Sequence, residues 1–412
     1  MKKTLILIIL STLFSCSKDE ENSNSINTLN LVSPNTVRIS DTITITGENM
    51  SEIRQCKFVT RFNGITVYPI EQSDNMIKVI VPVINDEEFD LYILPNSNGY
   101  NNFHFNLIGT FPLPSSQFFI NKNIEIVKMI NENIAFITVE KQIFKTTDGG
   151  YNWIHIKTFD HNIQTLNILN ENQAWASTFT TDGTTNYSSS VHFTNDGWET
   201  DNEIFSINEF GKSINQIYFS STNSGYVITS KGEIYETTNN QNFNLVYDCP
   251  YSNSSNYPEY ENITVYNNTL LSCGGQANTP GYIKKVNNTY DYIFVNGEIT
   301  KMQLIDETKA YKAMYTSNGG QKLYFSNNLT DWNLTNNFMI RNFHFINQNM
   351  GIGISANSEE YEFYETLNGG QNWTKRLNAG REFGIIPLNL DFFNKKGIIT
   401  GTRGKLWKHI FE

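Results

Sequence analysis

The side chains of this sequence that could do chemistry are few and scattered. Arg381 and Arg403 could together clamp an anion, since a guanidinium offers a planar fork of donors to an oxyanion. His155, His161, His192 and His344 are candidate bases, but none sits in a local motif that would seat it as one. Tyr187, Tyr251, Tyr257 and Tyr260 lie among Asn and Ser, a mixture that can stack on sugar rings and hydrogen-bond their hydroxyls. Neither Cys-x-x-Cys nor His-x-x-x-His spacing occurs, so neither a metal nor a cofactor is expected. The thiols are Cys16, Cys56, Cys249 and Cys273. Cys249 and Cys273 are close enough in the expected architecture to pair, the alternative being that Cys56, Cys249 and Cys273 are all buried small hydrophobes.

The elements that must position these residues announce themselves by repetition. Thr146-Thr147-Asp148-Gly149-Gly150-Tyr151-Asn152-Trp153 returns as Thr366-Leu367-Asn368-Gly369-Gly370-Gln371-Asn372-Trp373, with worn copies starting at Thr194, Thr237 and Ser326. Upstream of each unit a small residue opens an apolar strand, at Ala135, Ala174, Gly225, Thr269, Ala310, Gly351 and Gly397. Seven strand-rich units of this length between residues 110 and 412 predict a seven-bladed β-propeller. The last unit ends after its third strand, Leu406 to Phe411, so a strand is owed; Ser115 to Ile120 is expected to supply it and remove two exposed edges. The long connections Thr178 to Ser190, Cys249 to Asn262 and Cys273 to Gly281 fall on one face and carry the four tyrosines. Insertions on a rigid scaffold are where function tends to sit.

The repeated octapeptide resembles the Asp-box, or BNR repeat, Ser/Thr-x-Asp-x-Gly-x-Thr-Trp. The resemblance implies a structural role: Thr146, Asp148, Gly150 and Trp153, like Thr366, Asn368, Gly370 and Trp373, would hold the turn and pack between blades rather than touch ligand.

Met1-Lys2-Lys3 followed by an apolar run to Leu13 has signal-peptide length, too short for a membrane span. Leu13-Phe14-Ser15-Cys16 resembles a bacterial lipobox, which implies cleavage of residues 1–15 and acylation of Cys16. Lys18-Asp19-Glu20 resembles the export signal of Bacteroidota surface lipoproteins, which implies an outer-membrane lipoprotein facing the exterior. Residues 16–29 read as lipidated cysteine and flexible tether. Residues 30–108 alternate as a small sandwich and resemble an IPT/TIG domain in the order of Pro34, the Ile43–Asn49 strand and turn, Phe58, Asn63-Gly64 and Val81-Pro82. The expected fold class is therefore all-β: an Ig-like sandwich followed by a seven-bladed propeller at 110–412.

The formal net charge is −11, which argues against nucleic acid as a partner. Asp-boxes also occur in sialidases, which need three arginines spread around the ring. Here Arg341, Arg376, Arg381 and Arg403 all lie in the last third of the chain, and the opening Arg-Ile-Pro motif is missing. The preferred reading is a non-catalytic module that binds a polysaccharide or an outer-membrane protein partner. The alternatives are a carbohydrate-active enzyme, lyase or glycosidase, and a membrane-complex assembly factor, whose family resembles the Thr-Thr-Asp-Gly-Gly-x-Asn-Trp form of the repeat.

Overall fold

A computed structural model describes residues 29–94, 101–114, 116–183, 187–250, 260–274, 280–315, 320–356, 361–378 and 385–412. Cys16, Lys18, Asp19, Glu20, Tyr251, Tyr257 and Arg381 lie outside them, as does the side chain of Tyr260.

The first domain is a two-sheet sandwich. Thr42–Thr46 and Met76–Ile80 centre one sheet, while Gln55–Val59, Glu88–Leu94 and Asn101–Leu107 form the body of the other. Their alternation puts Ile43, Ile45, Phe58, Val79, Leu91 and Phe105 into a shared core. Seven four-stranded antiparallel sheets follow, six of them with consecutive strands side by side. The first strands of the seven touch in a closed ring, Ile126–Met129, Asn162–Ile168, Ile214–Phe219, Tyr260–Tyr266, Ile299–Leu304, Asn342–Phe345 and Pro387–Phe393. The architecture is thus all-β, a sandwich and then a seven-bladed propeller.

Ring closure departs from the expected strand. Gly109–Pro112, not Ser115–Ile120, pairs with Leu406–Ile410 and completes the seventh blade. Residues 117–119 instead form a 3-10 turn started by the Ser116 side chain, which accepts from Phe118 N–H. The earlier strand wins because Phe111 enters the core shared with the sandwich while its neighbours zip onto the C-terminal strand. The expected long connection from Thr178 to Ser190 is also shorter than predicted: Ala174–Thr181 and Tyr187–Thr194 pair along their full length. Cys56, Cys249 and Cys273 are buried thiols, with no disulfide between them.

The Asp-box turns show why Thr, Asp and Gly recur. Asp148 Oδ1 accepts from the backbone of Tyr151 and Asn152 at 3.0 and 2.9 Å, and Thr146 Oγ1 accepts from Gly150 N–H at 3.0 Å. Gly149 and Gly150 take φ of 75° and 99°, open to glycine without strain. Burial alone would raise the Asp148 carboxyl, but these bonds, Asn152 foremost, hold it below its usual value. The worn copies keep the design, with Asp196, Asn239, Asn328 and Asn368 accepting turn amides in the same way. Trp153 seats its ring against Phe119 between blades one and seven, and Trp373 against Phe345 between blades five and six.

The two domains are locked together. Ile108 alone separates the last sandwich strand from the closing strand. Lys408 is fully buried and donates to Glu87 of the sandwich and to Gly149 O. Lys396 donates to the other Glu87 oxygen at 2.7 Å, and Glu87 N–H donates to Tyr151 OH at 3.0 Å. Arg61, held by Asp86 through two bonds, lies 4.2 Å from the centre of the Tyr151 ring. On the propeller side these groups sit on the Asp-box turn of blade one and on the first hairpin and third strand of blade seven. The sandwich therefore covers one edge of the turn face.

Burial alone would raise the Glu87 carboxyl; Lys408, then Lys396, overturn this and hold it below its usual value. A depressed carboxylate stabilises above its unfolded pKa, and that contribution is lost as pH falls through the folded value. Glu87→Gln is expected to cost about 2–3 kcal/mol at neutral pH, because it strips a buried ammonium of its counter-ion. In chemical denaturation across pH, the difference from wild type should shrink below about pH 4, where unfolded carboxylates protonate.

Candidate functional site

The inner strand of each blade is a sheet edge, so its inward N–H and C=O groups need partners. Side chains from the preceding blade provide them. Asn167 donates to Phe219 O and accepts from Phe219 N–H; Gln303 does the same with Phe345, at 2.8 Å each way. Asn262 and Thr264 accept from Met302 and Leu304, and Asp391 Oδ2 accepts from Met129 N–H at 2.7 Å. The amides that line the axis are largely committed to the fold.

They surround a cavity of about 650 Å³ to which all seven inner strands contribute, within the size range of ligand pockets. Lys128, Asn167, Tyr218, Gln303, His344 and Asp391 occupy one tier, each paired with the residue that follows the small one at the start of the neighbouring strand. Lys301 lies one tier further from the hairpins and donates to Asn342 Oδ1 at 2.8 Å. Blades five, six, seven and one thus bring Lys301, His344, Asp391 and Lys128 to one side of the channel. Burial, followed by repulsion from Lys128, lowers Lys301 to about 8. Burial and the two lysines lower His344 to about 3, so its ring is neutral. Burial raises Asp391 above its usual value despite Lys128 and the backbone amides of Met129 and Phe392.

Of the candidate bases and ligand-binding residues singled out in the sequence that the structure describes, His344 alone reaches this cavity. His155 is exposed and bonds Thr158 Oγ1 at 2.8 Å. His161 and His192 line a second cavity of about 340 Å³ beside blade two. There His192 Nε2 meets Thr178 Oγ1 at 3.3 Å and its Nδ1 meets Asp201 at 3.1 Å, a hydroxyl–imidazole–carboxylate sequence. Thr178 is 3% exposed and Lys157 also pairs with Asp201, so this network is built as a packed ion pair.

Tyr187 opens the third strand of blade two, with its ring between Phe179 and Phe210 at centroid distances of 5.7 and 5.2 Å. Phe210 is 63% exposed, so the three rings make an aromatic shelf on the loop face, opposite the Asp-box turns. Arg403 is exposed on the expected turn of blade seven, in a left-handed conformation with φ 55°. Tyr151, Lys128, Lys301 and Asp391 went unmarked in the sequence. Lys128 and Asp391 carry a positional signal, since both stand a short, near-constant distance ahead of the small residue that opens the next strand, as Asn167, Tyr218 and Gln303 do.

The IPT/TIG domain family matches residues 28–107. No curated protein matches the chain. Among solved structures, YCF48 bound to D1 peptide aligns with a TM-score of 0.58 at 15% identity, covering 74% of this chain and 96% of that one. YCF48 from Cyanidioschyzon merolae aligns at 0.58 and 14%, covering 73% and 98%. The Niastella koreensis GH74 enzyme aligns at 0.53 and 14%, covering 73% of this chain and 53% of the enzyme. Residues 28–107 thus match the IPT/TIG domain, and the propeller that follows resembles those of Ycf48 and GH74 proteins in fold.

Gln303→Met is expected to lower stability by about 2 kcal/mol, since it leaves an N–H and a C=O of Phe345 unpaired at the channel wall. Urea denaturation measures this; an unchanged midpoint would mean that water replaces the amide.

Proposed function

We propose that this chain is a cell-surface lipoprotein, anchored in the outer membrane through Cys16, that binds glycan without cleaving it. The observation that carries the reading is the Phe179–Tyr187–Phe210 shelf. An exposed ring, braced by a second ring and placed on the open loop face, is a surface on which the apolar face of a sugar can lie. The sandwich supports the same reading mechanically. By gripping the turn face at blades seven and one, it is seated away from the loop face. Ycf48 seen with a D1 peptide supplies the second reading, a protein partner, and the exposed Phe210 fits that too. The GH74 fold supplies the enzyme alternative.

An affinity-gel and product screen of the full-length chain on neutral and acidic polysaccharides tests this. Retardation without product, weakened about 3- to 10-fold by Phe210→Ala or Tyr187→Ala, is the expected result. Phe210→Ala should leave stability within about 0.5 kcal/mol, being a surface change. Release of oligosaccharides would overturn the reading for an enzyme, and no retardation on any polymer would overturn it for a protein partner.

A further inference from the structure

On one side of the channel of this acidic protein, two lysines face a single carboxylate. At the tier nearest the first hairpins, most blades place an amide, hydroxyl or ring on the channel wall, whereas blades one, six and seven place Lys128, His344 and Asp391. Asp391 does a job that Asn167 does as an amide in blade two, satisfying the next inner strand. Its negative charge is therefore not demanded by the fold. Lys128 is exposed and lines the channel, and its ammonium makes no hydrogen bond and no ion pair within 4 Å among the described residues. Lys301 has one recorded bond, to Asn342, out of three donors. The His344 ring lies tilted against Phe392 with centroids 5.1 Å apart, and no hydrogen bond occupies its ring nitrogens among the described residues.

We propose that the axial channel is a binding site for a carboxylate, held between the ammonium groups of Lys128 and Lys301 with a ring N–H of His344 as a further donor. The charge count favours a monoanion. Two ammonium groups against the Asp391 carboxylate leave one net positive charge, which a carboxylate neutralises and a phosphate dianion would overrun. The planar pair of carboxylate oxygens suits two separate donors. The titratable groups facing Lys301 are the buried thiol of Cys273 from blade four, the neutral imidazole of His344, Lys128 and Asp391. Glu125 lies toward the opposite, loop-face end, in the field of Glu140. The inference stands on the channel alone and does not require the aromatic shelf, so the ligand's acid group can belong to a sugar acid or to a peptide.

The pH dependence has a definite sign. A lysine whose pKa is lowered to about 8 is cationic at neutral pH and loses its charge as pH rises. Carboxylate affinity should therefore hold steady near neutrality and fall above about pH 8. Binding at that pH should also take up protons, because the anion stabilises the charged form of Lys301.

Calorimetry of the full-length chain with sodium galacturonate, digalacturonate and N-acetyl-glycylglycine tests the proposal, with galactose and N-acetyl-glycylglycine amide as uncharged controls. The expected result is binding of the acids, with proton uptake at pH 8 in buffers of different ionisation heat, and none of the controls. Preference for the galacturonates identifies a sugar-acid ligand, and preference for the dipeptide acid a chain terminus; either supports the site. Lys128→Met and Lys301→Met should each weaken binding about tenfold. Asp391→Asn should tighten it several-fold, since the amide still accepts from Met129 N–H while the opposing charge is gone. A gain of affinity cannot arise from misfolding. Equal binding of acids and controls, no acid binding at millimolar concentration, or weaker binding by Asp391→Asn would each overturn the proposal. Loss of polysaccharide retardation in Phe210→Ala with acid binding intact would separate this site from the shelf.

Discussion

The pairing of Gly109–Pro112 with Leu406–Ile410 is the constraint on which the molecule depends. It joins segments at opposite ends of the propeller, so the closing contacts form only when all seven blades have stacked. Without it the seventh blade would lack its outer strand and the ring would present an open edge. The same four residues follow the sandwich after Ile108 alone, and Phe111 packs into the sandwich core. One strand therefore closes the propeller and fixes the neighbouring domain. Glu87, Lys396, Lys408 and Tyr151 then make that junction an ionic and aromatic lock rather than a hinge.

A closed ring creates a second problem, seven inner edges facing the axis. The repeated solution is a polar side chain on most inner strands that reaches across to the backbone of the next. Asn167 and Gln303 show the device in its neutral form. Asp391 shows it charged, beside Lys128 and Lys301. The chemistry of the channel grows from the sites where ionisable residues take positions that amides fill elsewhere.

The architecture was legible because its signals are local. The Thr-x-Asp turn, the glycines at positive φ and the small residue before each second strand all report geometry within a few residues. What failed depended on distant partners. Ser115–Ile120 has strand propensity, but the long-range pairing went to Gly109–Pro112, whose short run ends in proline. Tyr151 reads as a variable position of the Asp-box, and nothing local says that it faces Glu87 and Arg61. The channel tier was missed because each blade contributes one residue. His344 was noted without its setting, and Lys128, Lys301 and Asp391 mean nothing singly. The loops with Tyr251, Tyr257 and Arg381 lie outside the described residues, while Tyr187 acquires its setting only through Phe210, remote in sequence.

Native-state hydrogen exchange resolved along the chain tests most directly whether sandwich and propeller form one closed body. The account predicts that amides of Gly109–Phe111 and Leu406–Ile410 open only with the global transition, alongside the sandwich strand Glu88–Leu94. Early exchange of Gly109–Phe111, with the other propeller strands still protected, would contradict it and show a ring that holds without its closing strand.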